Sequence, residues 1–278
     1  MSSLEKYKFN VYSCVRCGMC RGKYTEEVRY VCPVREHTGG FEHYFARGRI
    51  AVARGILEGE LDYSDALAEV VYTCTTCGNC RVQCGALDAE GKPLIEADRI
   101  TEAMRADIVK DHPEMVRKAH KTIMDSIKTY ENPYMKPRIA KAKWARGLDI
   151  KNILKDSAKV LLYTGCTTPI DPELKSVITA TAKVLKKGNV DFGILGEKER
   201  CCGSVLRRIG AVDLFEKLAG ANIKQFNELG IDVLVTSCAG CFRTIKKEYP
   251  EIGDLNFEVL HISEYMDRLI KENKESTP

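Results

Sequence analysis

Three groups of cysteines carry the chemistry open to this sequence. The first is Cys14, Cys17 and Cys20 at C-x-x-C-x-x-C spacing, followed after eleven residues by Cys32 with Pro33 behind it. The second is Cys74, Cys77, Cys80 and Cys84, a C-x-x-C-x-x-C-x-x-x-C run. The third is Cys166, the adjacent pair Cys201 and Cys202, and Cys238-x-x-Cys241, which completes the thirteen cysteines of the chain. Three thiolates set two residues apart let one short loop hold three irons of a 4Fe-4S cubane, with the fourth ligand supplied from elsewhere. Zinc sites instead use separated C-x-x-C pairs and four ligands, so triplets point to iron and sulfide. Adjacent cysteines fit one tetrahedral ion poorly but reach separate irons of a larger cluster. The third group therefore favours a further, enlarged iron–sulfur cluster, with zinc held by four of the five as the alternative. The odd cysteine count argues against a disulfide framework.

The two runs also predict how ligands are shared. Where such motifs occur in pairs, the fourth cysteine of each belongs to the other cluster. By that rule Cys14, Cys17 and Cys20 pair with Cys84, and Cys74, Cys77 and Cys80 pair with Cys32. Gly18 and Gly78 hold the same place in both triplets, where a residue without Cβ lets backbone approach the inorganic sulfides.

The elements that must position these cysteines change character along the chain. Phe45, Ile50, Ala53 and Leu57 recur at helical spacing and Gly59 supplies a stop. Ser64 and Asp65 open a helix whose Leu67, Val70 and Val71 lead into Cys74. Ala97, Ile100, Met104 and Ile108 repeat at three and four, as do Val116, Ala119, Ile123 and Ile127 after Pro113. A basic connector follows with Pro133, Lys136, Pro137, Arg138, Lys141, Lys143 and Arg146, read as a solvated face. From Lys159 the segments KVLLYT, VDFGIL, DVLVTS and FEVLHI read as strands, separated by helical patterns over 172–187, 211–229 and 241–249. Such alternation implies a parallel sheet. It would gather Cys166, Cys201, Cys202 and Cys238 at the carboxyl edge of the strands, with Cys241 opening a helix. The expected fold class is α + α/β: an all-helical ferredoxin domain over 1–130, a connector over 131–157, and a parallel α/β domain over 158–278.

With CVRCGMC, ARGRIAVARGILEGEL, CTTCGNCRVQC, YTGC, CCGS and SCAGC in view, the sequence resembles the iron–sulfur subunits that share the CCG domain. These include heterodisulfide reductases and the iron–sulfur subunits of anaerobic glycerol-3-phosphate dehydrogenase and of glycolate and lactate oxidases. The resemblance implies that Cys166, Cys201, Cys202, Cys238 and Cys241 hold a noncubane 4Fe-4S cluster. Heterodisulfide reductase relatives usually carry two CCG motifs, whereas this sequence shows one.

The rest of the sequence bounds the function. Net charge is +4, too mild to indicate nucleic acid. No apolar run approaches the roughly 20 residues that span a bilayer, and the opening MSSLEKYKFN lacks a secretory apolar segment. Neither direct membrane insertion nor secretion is expected, and a cytoplasmic location follows, with membrane association only through a partner. No G-x-G-x-x-G or P-loop is present, so electrons must arrive from other redox subunits of flavoprotein, hydrogenase or membrane-cytochrome type, or from one carrying a second CCG motif. The five histidines are scattered; His37 and His43 lie between ligands, and Arg47 and Arg49 read equally well as counter-charges and as helix surface. No acid–base residue is expected. The sequence thus predicts an electron-transfer subunit of an oxidoreductase complex, with two cubanes feeding a CCG-type cluster that meets a thiol, a disulfide or a partner. The alternatives are a heterodisulfide reductase catalytic subunit, and an electron carrier whose CCG domain is a zinc docking module.

Overall fold

The periodic apolar residues of the first half fold into helices. The computed structural model describes residues 2–22 and 30–275. Its first helices are α1 (Lys8–Tyr12), α2 (Pro33–Glu36), α3 (Ala46–Leu57), α4 (Asp65–Thr73), α5 (Asn79–Val82), α6 (Ala97–Asp111) and α7 (Lys118–Tyr130). The Ser64 Oγ accepts a hydrogen bond from the Leu67 amide at 3.3 Å, which caps α4, and α3 runs out before Gly59, whose φ is +72°. Helix α6 is the axis of this unit, because Ile100, Met104 and Ile108 on its inner face are fully buried. Each such side chain contributes roughly 1.5–3 kcal/mol by leaving water. Among the described residues of this half the β pairing seen is one isolated bridge between Leu87 and Pro93.

Two compact units result: Met1–His120 with Val205–Val212, and Lys121–Ser204 with Asp213–Pro278. In the first, the buried Arg105 of α6 donates to the carbonyls of Val71 at 2.9 Å and Arg208 at 2.6 Å, and to that of Cys74. One guanidinium thereby satisfies the open C-terminal end of α4 and anchors the Val205–Val212 segment.

The second unit is built on five parallel strands, β1 (Lys151–Asn152), β2 (Val160–Leu162), β3 (Phe192–Ile194), β4 (Val233–Thr236) and β5 (Glu258–His261), in the order β1-β3-β2-β4-β5. The later helices are α8 (Thr167–Ile170), α9 (Lys175–Lys187), α10 (Ser204–Ile209), α11 (Val212–Glu228), α12 (Ala239–Arg243) and α13 (Ile262–Glu275). β2, β3 and β4 are buried along their whole length, as strands covered on both faces must be. On one face Val160, Leu162, Phe192, Val233 and Val235 pack with Ile178, Ala182 and Leu185 of α9, Tyr265 of α13 and Trp144. On the other, Tyr163 meets Phe226 of α11 edge to face at 5.7 Å. Residues 131–157 are part of this unit, since Trp144 lies in its core and the Ile153 amide bonds the Ile194 carbonyl at 3.0 Å.

The strand order decides where a ligand can sit. From β2 the chain moves to β3 on one side, then crosses to β4 on the other, so the loops after β2 and β4 diverge and leave a crevice at their carboxyl ends.

Candidate metal centres

In the first unit the two triplets fold alike. Arg16 and Gly18 have φ of 57° and 85°, and the equivalent Thr76 and Gly78 have φ of 51° and 78°. A left-handed residue before and after the middle cysteine turns three successive sulfurs to one side of the loop. Glycine is needed here for its backbone, and at Gly18 a Cβ would also stand 2.8 Å from the Arg47 guanidinium.

Cys14, Cys17, Cys20 and Cys84 line one cavity of about 370 Å³, walled further by Ile50, Ile95 and Ala97. Cys32, Cys74, Cys77 and Cys80 line a second, tighter space of about 20 Å³, with Cys80 also reaching the first. Cys32 is brought to the second triplet by Asn79, whose amide donates to the Val31 carbonyl at 2.8 Å. Pro33 then starts α2 with Cys32 as its cap residue. A volume of about 370 Å³ is some ten times the roughly 30 Å³ share of a water molecule, far beyond one ion. The first cavity suits a multi-atom iron–sulfur group by volume and donors, the second by donors. Burial pushes the Cys20 thiol up to about 11, with the Cys14 charge adding to it, and burial likewise raises Cys80. Buried thiols of this kind ionise readily only against a positive partner such as iron.

Arg47 lines the first cavity, donates to the Arg16 carbonyl at 3.2 Å and pairs with Glu42. Arg49 is 3% exposed, lines the second space and donates to Thr73 Oγ1 at 3.1 Å. Both arginines thus face cysteine sets. His43 stacks on Phe41, and His37 lies exposed near Cys77 at the surface.

In the second unit the five remaining cysteines converge on the crevice. Cys166 follows β2, Cys201 and Cys202 follow β3, and Cys238 and Cys241 follow β4. Their sulfurs form a hydrogen-bonded row in the order Cys166, Cys201, Cys202, Cys241, Cys238. The Cys201 and Cys241 thiols pull Cys202 well below the ordinary thiol range. The Cys241 thiol, with the amides of Cys241 and Gly240, brings Cys238 down to about 6. Donation to Cys201 and burial push Cys166 well up, and hydrogen bonding with Cys202 and Cys238, with burial, raises Cys241 likewise. Four of the five are buried and Cys238 is half-buried. Gly165, at φ +73°, lets the backbone pass where a Cβ would lie 3.3 Å from Cys241 Sγ. The sequence placed Cys241 at the start of a helix; Cys238 is in fact the cap residue and Cys241 lies within α12. Among the described residues no three His, Cys, Asp or Glu side chains converge on a single-ion position.

Buried side chains hold the loop that carries Cys201 and Cys202. Tyr163 Oη donates to the Arg200 carbonyl at 2.7 Å, Asn222 Nδ2 to that of Cys201 at 2.9 Å, and Tyr249 Oη to that of Cys202 at 3.0 Å. Lys141 reaches the Glu199 carbonyl at 3.1 Å. Its side chain is fully buried against Glu199, so the solvated-face reading fails for this member of the basic connector. None of these four residues shows a sequence signal, apart from Lys141 falling in a run of cations.

Residues 10–86 match the 4Fe-4S dicluster domain family and residues 160–246 the cysteine-rich CCG domain family. The chain thus matches an iron–sulfur dicluster domain family in its first part and the cysteine-rich CCG domain family in its second. It is 32% identical to one component of the dihydromethanophenazine:CoB–CoM heterodisulfide reductase of Methanosarcina mazei, over 94% of this chain and 64% of that protein. It is 27% identical to the EtfAB:quinone oxidoreductase of Syntrophomonas wolfei, over 94% of this chain and 40% of the relative. A probable iron-sulfur-binding oxidoreductase of Bacillus subtilis is 26% identical over 95% of this chain and 42% of its own length. The chain thus spans less than two thirds of each of these relatives. No solved structure gives a significant match. Among the described residues no helix is long and apolar enough to cross a membrane.

Proposed function

We propose that this chain is an electron-transfer subunit of a cytoplasmic oxidoreductase complex. Cys14, Cys17, Cys20 and Cys84 hold one 4Fe-4S cubane and Cys32, Cys74, Cys77 and Cys80 hold the other. Cys166, Cys201, Cys202, Cys238 and Cys241 hold a third, noncubane 4Fe-4S cluster at the sheet's switch point. When bound, these clusters supply one-electron chemistry. The residues of the chain set their spacing, burial and hydrogen bonding. Arg47 and Arg49 offset thiolate charge beside the two cubane sites, and the crevice leaves Cys238 as the least buried sulfur, facing a thiol, disulfide or partner cluster. The dicluster sites belong to the unit built on residues 1–120 and the third site to the unit that contains residues 121–204, and the partners are other redox subunits.

The observation that carries this reading is the division of thirteen cysteines into two four-residue sets in one unit and a five-sulfur row in the other. Heterodisulfide reduction at the third centre is supported by the Methanosarcina relative.

Iron, acid-labile sulfide and zinc content of anaerobically purified protein, with EPR of reduced and oxidised samples, tests it. About twelve irons without zinc is expected, with one EPR component lost on replacing Cys201 and Cys202 by Ser. About eight irons with one zinc would replace the third cluster by a structural zinc site and leave a two-cluster carrier.

A further inference from the structure

Lys141 and Glu199 form an ion pair at 3.0 Å with both side chains fully buried, and the ammonium lies 3.7 Å from Cys166 Sγ. A buried ion pair contributes little to stability by itself, because desolvation offsets the attraction. Its arrangement here is specific. The ammonium has three protons, and it finds three kinds of acceptor: Glu199 Oε1 at 3.0 Å, the carbonyls of Glu199 and Arg200 at 3.1 and 3.4 Å, and Cys166 Sγ at 3.7 Å. The Arg200 carbonyl is already served by Tyr163 Oη at 2.7 Å. Glutamate is fixed in turn by Thr164, whose amide donates to Oε2 at 2.9 Å and whose hydroxyl donates to Oε1 at 2.8 Å. Thr164 is two residues before Cys166 on the same loop, and Glu199 two residues before Cys201 on the next. The pair thus ties the two ligand loops together and aims one N–H at one sulfur.

We propose that Lys141, oriented by Glu199, is a positioning residue for Cys166 whose N–H···S hydrogen bond and positive charge raise the reduction potential of the centre held by the five cysteines. This rests on the reading that those cysteines ligate an iron–sulfur cluster. Hydrogen bonds to sulfur and local net charge are what set such potentials, since each stabilises the more negative, reduced state. Glu199 acts in the opposite sense, and its carboxylate is shared with Thr164, so the nearer Lys141 dominates at Cys166.

The test is a redox titration of the anaerobically purified full chain, followed by EPR at each centre, for wild type, Lys141→Arg, Glu199→Gln and the double variant K141M/E199Q. The double variant removes both charges together and leaves no unpaired buried ion. At a fixed poise its third centre should show about a tenfold lower ratio of reduced to oxidised form, a midpoint about 59 mV more negative for one electron. Glu199→Gln, which leaves the ammonium uncompensated, should move the same midpoint upwards, and Lys141→Arg should stay near wild type. The two cubanes serve as internal controls and should not move. Opposite signs for the two removals cannot arise from loosened packing alone. Three centres in every variant with an unmoved third midpoint, or equal shifts at all three, would overturn the role of Lys141 while leaving the cluster assignment standing. A wild type with only two centres would overturn both. Should K141M/E199Q fail to hold three centres, Glu199→Gln decides: a rise supports the proposal and no change refutes it.

Discussion

Replacing Tyr249 by Phe isolates how firmly the CCG loop is held. The side chain is fully buried, so no water takes the place of the lost hydroxyl. That hydroxyl donates to the Cys202 carbonyl at 3.0 Å and accepts from Asn222 Nδ2 at 2.9 Å. Two buried hydrogen bonds are lost, at about 1 kcal/mol each, and the Cys202 carbonyl is stripped of its donor, which adds about 1–2 kcal/mol. The expected cost is about 3–4 kcal/mol. A domain of this size shifts its Tm by about 2–4 °C per kcal/mol, so calorimetry of the iron-loaded protein should show a transition roughly 5–15 °C lower. Asn222→Ala loses the same shared bond and its own bond to the Cys201 carbonyl. The two changes combined should therefore cost less than their sum, with a coupling of about 0.5–3 kcal/mol. A Tyr249→Phe transition within about 1 °C of wild type, together with strict additivity, would refute the argument that these side chains hold the loop.

Two glycines make an opposed pair. Gly220 in the middle of α11 has open space where a Cβ would go, so Gly220→Ala should stabilise by about 1 kcal/mol and raise Tm. Gly210 has φ of +93° and a Cβ there would stand 2.3 Å from the Arg105 carbonyl oxygen, so Gly210→Ala should cost at least about 2 kcal/mol by the same calorimetric measure. Burial and the charges of Arg117 and Arg105 hold the His120 imidazolium acid below its usual range, and an NMR titration of the ring should place it below about 6.5. Because the folded value is the lower one, His120 adds stability above the unfolded pKa, and that part is lost as pH falls from about 6.5 through the folded value. His120→Gln should flatten this component of the stability profile.

Much of this arrangement was legible in the sequence, for reasons that are local. The helices around Ile50, Ile100 and Met104 announce themselves by a repeat of three and four that tertiary packing enforces. The strands at Val160 and Val233 stand out as short apolar runs between turn residues. Cysteine spacing named all thirteen candidate ligands, and the first eight line two cavities that share Cys80. What stayed hidden depends on partners far away in the chain. Lys141 meets Glu199 and Tyr249 meets Cys202 across loops that no periodicity records. β1 escaped notice because it is two residues long, and α13 because its polar face outweighs the few residues, Tyr265 among them, that pack on the sheet.

The carbonyl-holding side chains around Cys201 and Cys202 bear on assembly as well as on redox chemistry. Tyr163, Asn222, Tyr249 and Lys141 are anchored in the protein interior and bond the backbone of residues 199–202 without recourse to metal. The conformational freedom of that stretch is thus surrendered to hydrogen bonds from side chains that are not cysteines. A group bound by Cys201 and Cys202 would therefore meet a backbone whose order is set by side chains other than the cysteines, and binding would entail little further ordering.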